Sequence, residues 1–97
     1  MCEIFAGQDP ARYECHTRHL RLNGQSTSIR LENAFWAIID EIAAGEDTTT
    51  PQFISTLHQE VLERYGEPGN FTSLLRCTCL RYLDLQADRA DTPMAAE

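Results

Sequence analysis

The 97-residue chain, 42% hydrophobic and 24% charged, has room for one hydrophobic core and the composition of a globular domain rather than a disordered or fibrous one. Its apolar runs are too short to cross a bilayer, and its opening residues lack the basic start and apolar stretch of a secretion signal, so a cytoplasmic protein is expected, with reduced thiols at Cys2, Cys15, Cys77 and Cys79. A net charge of −7, taken alone, opposes nucleic-acid binding, which depends on neutralising phosphates.

Residues 1–17 show no clean period and read as an irregular N-terminal arm. Arg18-His19-Leu20-Arg21-Leu22 and Ser26-Thr27-Ser28-Ile29-Arg30-Leu31 then alternate apolar with polar in the period-two manner of strands with one buried face. Asn23-Gly24-Gln25 lies between them, and Asn-Gly is a strong hairpin signal because both residues tolerate positive φ. A β-hairpin is therefore expected, with Leu20, Leu22, Ile29 and Leu31 inward and His19, Arg21, Ser26, Ser28 and Arg30 outward.

From Glu32 the period becomes helical: Phe35, Ile38, Ile39 and Ile42 share one face, with Asp40 and Glu41 opposite, and the helix ends near Ala44-Gly45. Thr49 and Gln52 fit a capping box around Pro51, a residue tolerated in a first helical turn. Phe53, Ile54, Leu57, Val61 and Leu62 give this second helix one apolar face, up to about Tyr65. Asn70 is a good cap for a third helix over Phe71 to Leu85, apolar around more than half its circumference and so in need of cover, for which a second subunit is the expected source. The tail 87–97 is acidic, contains Pro93 and is expected to be disordered.

The charge is unevenly divided. All eight cations are Arg, and residues 11–30 carry Arg12, Arg18, Arg21 and Arg30 against Glu14 alone, a local +3, while the other residues sum to −10. Arginine's planar fork suits phosphate oxygens and the guanine edge, so a short Arg-bearing segment on an acidic body remains a candidate nucleic-acid contact. Solvated surface charge without a partner is the competing explanation.

The order strand, helix, turn, helix resembles the ribbon-helix-helix superfamily. The strings TSIRLENAFW and GNFTSLLR, within a span of about 18–86, resemble its bacterial branch with a preceding strand and an extra C-terminal helix. The resemblance implies a mainly α fold with a short N-terminal β element, built as an intertwined homodimer plus a third helix. It also implies a non-enzymatic, cofactor-free transcriptional regulator of duplex DNA. One strand per subunit would pair across the two-fold axis, placing Ser26, Ser28 and Arg30 toward base edges in the major groove. Phosphates would be met by Arg18 and Arg21 and by Thr48, Thr49 and Thr50 at the second helix's N-terminus. No membrane contact or small-molecule substrate is expected. A non-catalytic interaction module on the same scaffold, antitoxin-like or an adaptor, is the alternative.

Other motifs point less far. Cys2 after Met1 resembles the nucleophile of N-terminal amidotransferases, but Glu3 stands where such enzymes carry Gly, and the chain is too short for their scaffold. Cys15, His16 and His19 have metal-ligand types, but no downstream pair supplies the further ligands a tetrahedral site needs unless a second subunit does. Cys77 and Cys79, two apart on a helix, point away from each other and read as small core residues. Trp36 is expected at the edge of the apolar face, against a partner's helix, and His58 at the surface or its boundary.

Overall fold

The protein, described by a computed structural model over residues 2–91, consists of α1 (Cys2–Ala6), α2 (Pro10–Tyr13), β1 (Cys15–Leu22), β2 (Gln25–Glu32), α3 (Asn33–Gly45), α4 (Thr50–Tyr65) and α5 (Phe71–Asp91). β1 and β2 form a two-stranded antiparallel sheet in which Leu22 opposes Gln25 and His19 opposes Ser28. Asn23 and Gly24 make the turn at φ 52° and 86°. Positive φ at both central residues is the primed geometry that matches the twist of paired strands, so the dipeptide sets the register of the whole hairpin.

The core forms where the hairpin's inner face meets three helices. Leu20, Leu22, Ile29 and Leu31 pack with Trp36, Ile39, Ile54, Leu75 and Cys79, all buried. α4 lies on β1, and α3 and α5 lie on β2 and on each other. As the alternation predicts, His19, Arg21, Ser26, Ser28 and Arg30 are exposed. Thr49 Oγ1 accepts from the Gln52 amide at 3.3 Å and Asn70 Oδ1 from the Ser73 amide at 3.0 Å, the two caps read from the sequence. α4 stops at Gly66, whose φ of 83° suits a residue without Cβ.

Several expectations need correction. The arm over 1–17 is not irregular throughout: α1 and α2 occupy much of it, and β1 begins at Cys15. Asn33 fastens this lead-in, its amide donating to Glu14 O at 2.8 Å and its Nδ2 to Ala11 O at 2.8 Å. α5 runs to Asp91 rather than Leu85, so part of the expected disordered tail is helical, and its remainder, 92–97, lies outside the described residues. Trp36 is not left for a partner: it is 2% exposed, and its Nε1–H donates to His16 O at 2.8 Å. Of the two cysteines expected in the core, Cys77 is exposed, whereas Cys79 is buried and its thiol pushed up to about 11 by desolvation.

Candidate nucleic-acid interface

Strand alternation divides the hairpin's cationic residues between two faces. Cys15, Thr17, His19 and Arg21 of β1 share the outer face with their partners Glu32, Arg30, Ser28 and Ser26 of β2, since directly opposed residues point the same way. Within this exposed strip His19 Nδ1 and Ser28 Oγ lie 2.7 Å apart, and Arg21 Nη1 donates to Gly24 O at 3.0 Å, holding the guanidinium over the hairpin tip. The carboxylate at the far end, Glu32, faces the Arg76 guanidinium, with Nε–Oε1 at 3.1 Å. Its own backbone hydrogen bond, then Arg76 and the nearby Arg30 charge, hold its pKa below the usual range. Among the described residues Arg30 has no ion-pair partner within bonding distance. The strip therefore presents hydroxyls, an imidazole and two guanidinium groups, with its acid neutralised.

Arg18 is elsewhere. It has the parity of Leu20 and Leu22, so its side chain crosses the helix-facing side of the sheet. There it donates to both Asp40 oxygens at 2.8 and 3.0 Å and lies 4.4 Å from the centroid of the Trp36 ring. Thr50 Oγ1 donates to the same carboxylate at 2.7 Å. The Arg18 fork, then Thr50, hold the Asp40 carboxyl below its ordinary value, and the carboxylate holds Arg18 above its own.

Some residues of the expected phosphate set also bond within the chain. At the start of α4 the anion is Asp40, supplied by this chain and bound by the Thr50 hydroxyl. Thr49 Oγ1 is taken by Gln52, and the Thr48 amide donates to Ala43 O at 3.0 Å. Glu46 and Asp47 precede this helix end and repel a second anion. Arg18, Thr49, Thr50 and the Thr48 amide thus have partners within the chain, as Arg21 has in Gly24 O, and Arg21 and Thr49 are the exposed members of the expected phosphate set. Sequence reasoning missed Asp40, assigning it to the solvent side of its helix, although it lies one turn from Trp36.

Because its depressed pKa stabilises the fold above the unfolded carboxyl value, and that stability fades as pH falls through the folded one, Asp40→Asn should lower the melting temperature modestly at pH 7. The variant should also lose part of the wild-type decline below about pH 4; thermal unfolding across pH 2–7 measures both, and parallel pH profiles would remove the clamp's role. The clamp is about one-third to one-half exposed, so solvent screening keeps its contribution small.

His16 and His19 point to opposite faces of β1, and among the described residues no group of three His, Cys, Asp or Glu side chains is arranged to hold a metal. His58 bridges elements, with Nδ1 2.8 Å from Asn23 Nδ2 and its ring edge-on to Phe71 at 4.9 Å. No helix among the described residues is long and apolar enough to cross a membrane.

A family model of the ribbon-helix-helix domain matches residues 15–83. Among solved structures, the chain is similar to an uncharacterized protein from Bordetella pertussis Tohama I. The two share 45% identity over 99% of this chain and 76% of that one, with a TM-score of 0.88. No curated protein matches. Ribbon-helix-helix domains are typically DNA-binding transcription regulators or antitoxins, generally dimerise and are generally non-enzymatic. With its hairpin and following helices inside the matched span, the chain belongs to the ribbon-helix-helix domain family.

Proposed function

We propose that the chain is a homodimeric, non-catalytic transcriptional regulator that works in the cytoplasm and binds duplex DNA through the outer face of its hairpin. The observation that carries this reading is the exposed strip of Arg21, Arg30, His19, Ser26 and Ser28, free of unpaired carboxylate on an otherwise acidic molecule.

The hairpin also supports a mode of assembly. In a two-residue hairpin the pair flanking the turn is hydrogen-bonded, and bonded pairs then alternate, so Thr27, Ile29 and Leu31 bond inward to β1. Ser26, Ser28 and Arg30 are left with backbone groups along the open edge of β2. Antiparallel pairing of that edge with its two-fold mate brings both sets of Ser26, Ser28 and Arg30 side by side. Four strands at ~4.8 Å spacing exceed the ~12 Å width of the major groove, so the central β2 pair enters and the flanking β1 strands lie over the rims. Arg30 reads guanine, the serines discriminate weakly, and Arg21 meets phosphate.

One phosphate contact from Arg21 of each copy, two per dimer, gives a slope of log affinity on log salt of about −2. Anisotropy titrations of labelled genomic fragments between low and moderate salt measure it, and a slope near zero would refute the reading. Exposed Leu80 and Leu83 on α5 favour the second reading, a protein-interaction module on the same scaffold, which retains no DNA at any salt.

A further inference from the structure

A groove of ≈ 420 Å³ runs between the end of α3, the start of α4 and α5, with Ile42, Phe53, Leu74 and Leu85 on its apolar walls and Cys77 and Arg81 also lining it. The same chain has an apolar knob with nowhere to go. In α1, Ile4 is 72% and Phe5 61% exposed, and among the described residues the backbone of this helix is hydrogen-bonded outside itself only to Gly7 and Gln8. Adjacent exposed Ile and Phe on a tethered helix are costly in water unless something covers them.

We propose that α1 of one copy seats Ile4 and Phe5 in the α3–α4–α5 groove of a second copy, and that the second copy returns its own α1 to the first. Charge orients the pairing: Glu3 precedes the knob, Arg81 lines the groove without an ion-pair partner among the described residues, and Glu46 at the α3 end of the groove turns Glu3 toward the Arg81 side. Geometry selects the second copy over the same chain. α2 is anchored at the start of α3, packing Ala11 and Arg12 beside Asn33, Ala34 and Ala37, whereas the groove meets α3 at Ile42 and Glu46. From Ala37, the nearest of these, to Ile42 or Glu46 is ~8–14 Å along the axis, and Ala37 and Glu46 lie about half a turn apart around a helix ~10–12 Å thick, which adds ~16–19 Å of surface path. Residues 5–11 span at most ~20–22 Å even when fully extended, too little to travel that length and round the helix while α1 and α2 stay helical. Two arms and two grooves related by a two-fold axis close the assembly without leaving a free end to polymerise.

The inference rests on the two-copy assembly proposed above but not on its DNA. Cys77 serves as a reporter in the groove, and Cys79 faces the core instead, buried and poorly ionised at neutral pH. The test oxidises Phe5→Cys in a Cys2→Ser, Cys15→Ser background, without DNA, after mixing ¹⁴N- and ¹⁵N-labelled protein. The expected product is a disulfide between positions 5 and 77 in mixed-isotope peptides, abolished by Arg81→Glu and restored when Glu3→Arg is added. A dimer by sedimentation that yields no 5–77 bond, or one in single-isotope peptides alone, overturns the arm exchange and leaves the dimeric regulator standing. A monomer by sedimentation overturns both. In a parallel sample Met94→Cys replaces Phe5→Cys, and preferential capture of Cys77 there would assign the groove to this chain's own C-terminus and overturn the proposal.

Discussion

Trp36→Ala should destabilise the protein by about 3 to 5 kcal/mol, the range for emptying a core site of an aromatic of this size. The indole fills the junction between hairpin and helices at 2% exposure, donates to His16 O at 2.8 Å, and is roofed by Arg18. Truncation therefore leaves a cavity, a His16 carbonyl short of its second donor and an arginine without its platform. A domain of this length has roughly 5 to 15 kcal/mol in total, so the variant should unfold near or below physiological temperature. Trp36→Phe keeps most of the packing and loses the N–H bond and part of the cation–π contact, at a cost of about 1 to 2 kcal/mol. Denaturant unfolding followed by circular dichroism measures both. Equal losses in the two variants would show that the hydrogen bond, not the volume, holds the site.

Arg30→Ala should leave the fold intact and weaken specific DNA binding by about 1 to 3 kcal/mol, the discrimination carried by one good bidentate arginine–guanine pair. Its side chain is exposed and, among the described residues, within bonding distance of no carboxylate, so folding loses little when it is removed. Arg21→Ala should instead weaken all sequences alike and reduce the salt slope by about one unit for each phosphate left without its cation. Arg18→Ala is the contrast: it opens the Asp40 clamp and lowers stability while leaving affinity per folded molecule unchanged. Competition binding with matched and scrambled sites separates the three. Full affinity in Arg30→Ala would remove it as the reader, and a loss in Arg18→Ala as large as in Arg30→Ala would contradict the division of the hairpin into two faces.

The hairpin was legible because its signals agree: two alternating runs, an Asn-Gly turn and a shift to helical period at Glu32. The caps of α4 and α5 were legible because Thr49 and Asn70 act within their own first turns. What failed depended on long-range neighbours. Arg18 was read by its charge, although the parity of Leu20 and Leu22 already placed it on the inner face. Trp36 and Asp40 were misplaced because the stripe of Phe35, Ile38, Ile39 and Ile42 runs beside the one actually buried, Trp36, Ile39, Ile42 and Ala43. The choice between them is made by the hairpin lying against the helix, which no local pattern encodes. Residues 15–17 carry no apolar alternation, so the start of β1 shows only in its pairing with residues 30–32.

Since β2 already has a mate in its own chain, the sheet does not wait for a subunit to arrive. Turn closure and zipping are local events on the microsecond scale, and the helices that cover the sheet follow it directly along the chain. In the proposed dimer each copy would therefore bring a sheet already paired within itself, and would meet its twin as a preshaped surface rather than as an unravelled half of a shared core.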